Sequence, residues 1–151
     1  MSKTEKSFVL VVDDNPETCT LLSALLQRDF IVQIAHDGLE AVEKLKTTKY
    51  GAILLDLRMP HHDGFSVLDF LQQTQPDTLR SVIILTALLS AREIDRARAY
   101  KVCDIVAKPF DIDALLGIVK QCANPDSYPI GGVFCAPVIL LLANLLRQRL
   151  M

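Results

Sequence analysis

Four polar stations along the 151-residue chain carry groups that could do chemistry together. Asp13-Asp14, Asp56, Thr86 and Lys108 each follow an apolar run, at residues 8–12, 52–55, 82–85 and 105–107. Three carboxylates, a hydroxyl and an ammonium are thereby offered at the ends of four runs. Neighbouring carboxylates do not all stay ionised without a compensating cation. A hard divalent ion answers that need, and Mg2+ in particular takes one or two carboxylates together with water and phosphate oxygens. A lysine and a hydroxyl beside it add charge-assisted donors suited to a phosphoryl group. The chemistry expected is phosphoryl transfer to an aspartate, giving an acyl phosphate. One polar strand end is ordinary loop chemistry, whereas four complementary ones point to a site.

The elements that must position these groups are legible in the hydrophobic period. Residues 8–12, 31–35, 52–55, 82–85 and 104–107 are short continuous runs, as expected of strands buried on both faces. Between them lie stretches of helical period. Asn15-Pro16-Glu17 reads as a helix start, with Asn as N-cap and Pro at the first helical position, followed by Leu21, Leu22, Leu25 and Leu26. Asp37-Gly38 opens a second helix, Phe65, Val67, Leu68 and Leu71 mark a third, residues 91–100 a fourth, and Asp111 caps a fifth. Strand and helix alternate five times, which predicts an α/β fold with a mostly parallel sheet covered on both sides. In such sheets ligands bind beyond the carboxyl ends of the strands, where the polar stations fall.

Sixteen Lys+Arg against eighteen Asp+Glu leave a net charge of −2. No chain-wide basic field calls for nucleic acid. The polar N-terminus lacks the apolar stretch of a secretory signal, so a cytoplasmic location is expected. Cys19, Cys103, Cys122 and Cys135 show neither CxxC pairing nor zinc spacing, and are expected as reduced thiols acting as small hydrophobes. His61 and His62 read as exposed loop residues. Arg92, Arg96 and Arg98 read as a solvated helix face balanced by Glu93 and Asp95.

With these residues in order, the chain resembles the receiver domains of response regulators, the CheY-like family of two-component phosphorelays. The resemblance rests on Asp13-Asp14, then the run Asp56-Leu57-Arg58-Met59-Pro60-His61-His62-Asp63-Gly64, then Thr86-Ala87, then Lys108-Pro109-Phe110. It covers residues 6–123. It implies the flavodoxin-like (βα)5 doubly wound sheet with strand order 2-1-3-4-5. It also implies that Asp56 takes a phosphoryl group from a histidine kinase's phosphohistidine, with Mg2+ held by Asp14 directly, by Asp13 through water, by Asp56 and by the backbone carbonyl of Arg58. Thr86 and Lys108 would bind the phosphoryl oxygens, and Lys108-Pro109 would be a cis peptide. The expected protein is a phosphoacceptor switch rather than an enzyme, signalling through contacts with a kinase or phosphotransfer protein and a downstream protein.

Some positions depart from the family pattern. Ile105 stands three residues before Lys108, where receivers carry a Tyr or Phe that turns inward on activation, and Lys101-Val102 replaces the usual Gly-Ala. These departures keep a second reading open, a degenerate receiver acting only as a binding module. A third, an Asp-nucleophile phosphatase of the haloacid dehalogenase type, needs an acid two residues after the nucleophile, and that position is Arg58.

Residues 127–146 contain no charge, and Arg147 and Arg149 are the only ones beyond. Without those two arginines the rest of the chain holds 14 basic against 18 acidic residues, a net of −4. Residues 124–151 therefore read as a separate hydrophobic C-terminal tail, helical from about 138. Asn144, Arg147 and Gln148 fall on one face, with Val138, Leu142, Leu145 and Leu146 on another. Such a helix suits docking on its own receiver, on a second subunit as a homodimer, or on a membrane surface through residues 130–150. No DNA-binding or catalytic output domain fits in that length.

Overall fold

The computed structural model describes residues 5–60, 63–87 and 90–124. The readings for His61, His62, Cys135 and the tail lie outside the described residues.

Strands β1 (Phe8–Val12), β2 (Ile31–Ala35), β3 (Ala52–Leu55), β4 (Val82–Thr86) and β5 (Asp104–Ala107) alternate with helices α1 (Pro16–Leu26), α2 (Gly38–Thr47), α3 (Gly64–Thr74), α4 (Ala91–Ala99) and α5 (Ile112–Ala123). All strand pairs are parallel and the order is β2-β1-β3-β4-β5. The alternation predicts the parallel sheet, and the strand order is the flavodoxin-like one that the resemblance implies. The periodic reading did not anticipate a 3₁₀ turn at Pro76–Ser81, where Pro76 suits the turn's start.

Burial on both faces explains the unbroken apolar strands. Leu10, Val12, Ile53, Leu55 and Ile84 face one layer, where they pack with Ala41, Leu45, Phe65, Leu68 and Leu71 of α2 and α3. Val9, Val11, Leu54, Ile83 and Leu85 face the other, against Leu22 and Leu26 of α1 and Leu115 and Val119 of α5. Successive residues serve opposite layers because strand side chains alternate.

Each α-helix among the described residues starts behind a side chain that accepts from its first turn. Asn15 accepts from Glu17 and Thr18, Asp37 from Glu40, Asp63 from Ser66, Ser90 from Glu93 and Asp111 from Ala114. Such a cap contributes about 1 kcal/mol, and here it also fixes how sharply the chain leaves each strand end. Helix α4 stops differently, at Lys101, whose φ of 57° is left-handed and whose N–H donates to the Arg98 carbonyl. An L side chain in that region costs on the order of 1–2 kcal/mol, so glycine is the favoured residue there. Lys101→Gly is expected to stabilise the fold by roughly 1 kcal/mol, read as a higher urea midpoint at unchanged m-value. A lower midpoint would show that the lysine side chain holds contacts worth more than the strain.

The expectation of four reduced thiols is corrected. Cys103 and Cys122 are joined by a disulfide, with Cα atoms 6.2 Å apart. Residues 19 apart carry no sequence signature of pairing. They meet because α5 returns along the sheet and sets its last turn beside the start of β5. Cys19 is a buried free thiol, and its Sγ donates to the Asp13 carbonyl at 3.3 Å.

Candidate functional site

The sheet ladder runs one step past the strands and carries the polar stations with it. The Asp13 N–H donates to Ala35 of β2, Asp56 to Val12 of β1, and Lys108 to Thr86 of β4, at 3.1, 2.9 and 2.9 Å. Asp13, Asp56 and Lys108 are therefore registered against neighbouring strands, not merely suspended in loops. Asp13-Asp14 and Asp56 follow β1 and β3, the adjacent strands from which the chain winds in opposite directions, the usual place for a ligand in an open parallel sheet.

Asp13, Asp56 and Thr86 are buried, whereas Asp14 is exposed. One oxygen of each of Asp13, Asp14 and Asp56 lies within 4.8 Å of the others. The Lys108 Nζ reaches Asp13 Oδ2 at 2.7 Å and Asp56 Oδ2 at 3.3 Å. The Thr86 hydroxyl donates to Asp56 Oδ1 at 3.2 Å and the Arg58 N–H to the same oxygen at 3.0 Å. The Asn15 N–H holds Asp13 Oδ1 at 2.9 Å. Lys108-Pro109 is cis.

Burial pushes the Asp56 carboxyl above the ordinary carboxylate range, and the Arg58 N–H and the Lys108 charge pull part of the way back. Burial works against the Lys108 ammonium too, yet the hydrogen bond to Asp13 and the charges of Asp56 and Asp13 outweigh it and hold its pKa above the usual lysine value. With all three acids ionised, one ammonium leaves two negative charges uncompensated. An all-oxygen cluster with that excess fits a hard divalent cation such as Mg2+. Asp14 offers an exposed carboxylate to it, while both oxygens of Asp13 are already engaged.

The structure brings together all five side chains singled out from sequence. It adds three features that sequence did not show. Arg58, read there only for its carbonyl, uses its amide on Asp56 and its guanidinium on Glu93 Oε2, 3.4 Å away. Glu93 Oε2 also accepts from the Ser90 N–H at 2.8 Å, so it ties the acceptor loop to the start of α4 and does not balance the α4 arginines. Arg96 is likewise not merely solvated, since its guanidinium stacks 3.9 Å over the Phe65 ring. Gly64 is the third feature. A Cβ there would stand 2.5 Å from the Asp56 carbonyl oxygen and 2.8 Å from the Leu57 Cα, so only glycine lets α3 start against the acceptor's backbone. Ile105 is buried in the layer shared with α3 and α4. A fourth buried polar residue, Asp104, sits at the far end of β5 and plays no part here.

The known proteins that match share this arrangement's frame. Residues 9–120 match the model of the response regulator receiver domain. The chain is 35% identical over 112 residues to the transcriptional regulatory protein ZraR of Klebsiella oxytoca, covering 74% of this chain and 25% of that protein. It is 32% identical over 115 residues to the signal transduction histidine-protein kinase BarA of Escherichia coli, covering 75% and 12%. It thus spans a quarter or less of these relatives. Among solved structures, the receiver domain of the Francisella response regulator 1452 superposes with a TM-score of 0.70 at 29% identity, covering 80% of this chain and 99% of that one. The receiver domain of a histidine kinase from Syntrophus aciditrophicus gives 0.71 at 27% identity, covering 86% and 98%. By fold, by the order of its motifs and by these matches, the chain belongs to the response regulator receiver domain family of two-component systems.

Proposed function

We propose that Asp56 accepts a phosphoryl group from the phosphohistidine of a histidine kinase or phosphotransfer protein, and that this receiver signals through protein contacts. The observation that carries this reading is the Lys108 ammonium shared between Asp13 and Asp56, with the Thr86 hydroxyl on the same acceptor. An Asp56 oxygen attacks phosphorus, the phosphorus–nitrogen bond to the donor imidazole breaks, and that nitrogen keeps the electron pair. Lys108 and Thr86 turn their donors from the carboxylate to the arriving phosphoryl oxygens. Asp14, Asp56 and the Arg58 carbonyl would hold Mg2+, with Asp13 acting through water. When bound, that ion supplies charge neutralisation to the phosphoryl oxygens.

Incubation with acetyl phosphate and Mg2+ is expected to add one phosphoryl group to the full chain by intact-mass spectrometry, and Asp56→Asn or chelation to abolish it. Asp14→Ala is expected to weaken Mg2+ by roughly tenfold or more in calorimetric titration. Wild-type protein that stays unlabelled under these conditions would favour the binding-module reading instead. The haloacid dehalogenase reading gains nothing from the geometry, since Arg58 points its guanidinium to Glu93.

Residues 6–123 form the receiver in this proposal, and residues 124–151 bury apolar surface against protein, in cis or in a homodimer. Among the described residues no helix is long and apolar enough to cross a membrane. Deleting residues 127–151 is expected to leave Asp56 labelling intact and to change the mass seen by light scattering. Unchanged scattering, with the full chain absent from floated liposomes and cleaved by protease throughout residues 127–151, would remove the docking, dimer and membrane readings of the tail together.

A further inference from the structure

We propose that Cys103 and Cys122 form a reversible dithiol–disulfide couple, giving this receiver a redox input separate from phosphorylation. The geometry is that of a bridge the fold itself prepares. Cys103 is fixed just before β5 by its N–H on the Val82 carbonyl at 2.8 Å. Cys122 lies one residue from the end of α5, buried with Val119, Phe30 and Leu26. The Cα separation of 6.2 Å is within the bridging range.

Two features make the bond a point of control. Strand β5 is an edge strand, hydrogen-bonded only to β4, and the bond is its covalent link to the helix that covers it. The closed loop runs from Cys103 to Cys122 and contains all of β5, the Lys108 turn and nearly all of α5. Its amino-terminal half is held independently, by Lys108 on the acids and by the Asp111 cap. The carboxyl-terminal half has the disulfide, the Lys120–Asp29 surface pair and the packing of Val119 and Cys122. A surface ion pair contributes little, so opening the disulfide acts chiefly on the last turn of α5 and leaves Asp56 alone.

The exchange balances with a disulfide oxidant of the glutathione type. Cys103, the less buried of the two, loses its proton and attacks one oxidant sulfur, releasing one glutathione thiolate. The Cys122 thiolate then attacks the Cys103 sulfur of the mixed disulfide and releases the second. Two protein thiols are oxidised and one glutathione disulfide is reduced to two glutathione molecules. Cys19 is buried beneath Asp13 and serves as an internal control.

The test uses the full chain in a Cys135→Ser background, equilibrated in glutathione buffers from reducing to oxidising. Alkylation followed by peptide mass mapping should show Cys103 and Cys122 passing together from alkylated to linked, while Cys19 stays unpaired. Reduction should lower Tm by on the order of 5–10 °C, as expected for releasing a loop of this length. It should also speed hydrogen exchange in residues 119–123 at least about tenfold, and change the rate of Asp56 labelling by less than about twofold. Cys103→Ser should match the reduced protein in either buffer, and the wild type with and without reductant decides the matter should that variant fail to fold. Thiols that both remain alkylated in the most oxidising buffer would overturn the proposal. So would a bond that yields to reductant only after denaturation, or one whose reduction leaves α5 exchange unchanged. Loss of Asp56 labelling in both redox states would count against the phosphoryl reading alone.

Discussion

Lys108→Met is expected to slow phosphoryl incorporation into Asp56 by about 100-fold, the usual cost of removing one preorganised donor from a developing charge. The same change should strengthen Mg2+ binding, because Asp13, Asp14 and Asp56 lose the ammonium that now offsets one of their charges. Opposite movement of the two quantities is the diagnostic result, read from an intact-mass time course and from the rise in Tm that Mg2+ produces. A variant that labels at the wild-type rate would remove Lys108 from the phosphoryl site. The pH dependence follows from the raised lysine pKa. Lys108's contribution to stability is fully present below the ordinary lysine value near 10.4 and is lost as pH rises through the higher value in the fold. The stability gap between wild type and Lys108→Met should therefore stay level across neutral pH and narrow only in strong alkali.

Gly64→Ala should be far more disruptive than a methyl added at Gly51 or Gly117. The added carbon meets backbone on two sides, the Asp56 carbonyl oxygen and the Leu57 Cα, and neither can swing aside as a side-chain tip could. Overpacking of this kind costs about 1–3 kcal/mol. Here the shift is delivered straight to the acceptor's peptide, and to the hydrogen bond from the Gly64 N–H to the Leu57 carbonyl, 3.1 Å. We expect a fall in urea midpoint together with at least a tenfold fall in Asp56 labelling. A fall in stability with labelling unchanged would show that the acceptor tolerates movement of its own backbone. Gly117→Ala is the matched control, since a Cβ there meets nothing within 4 Å.

Much of this was readable in advance for a specific physical reason. A strand buried on both faces must be apolar throughout, so the first polar residue after it marks both the strand's end and the sheet's ligand edge. That logic located Asp13, Asp56, Thr86 and Lys108. It could not reveal pairings made by helices that pack without a periodic signature. The Arg58–Glu93 pair spans 35 residues and the Cys103–Cys122 bond 19, and both depend on where α4 and α5 come to rest. Gly64 was visible as a residue, but its reason, the closeness of α3 to the Asp56 carbonyl, is a property of packing. The burial of Ile105 beside α3 and α4 follows from its place on a doubly covered strand.

The parallel arrangement of the sheet has an electrostatic consequence of its own. Because each helix begins just beyond a strand's carboxyl end, all five amino-terminal helix ends converge on the edge where the acids sit. Each such end carries the equivalent of roughly half a positive charge. The aspartates that cap α2, α3 and α5 quench part of this, as do the first-turn Glu17 of α1 and Glu93 of α4 behind their uncharged Asn15 and Ser90 caps. An anionic group approaching Asp56 therefore enters a region whose backbone dipoles already oppose the repulsion of the carboxylates, before any side chain moves. The same side chains mounted on an antiparallel sheet would lack that field.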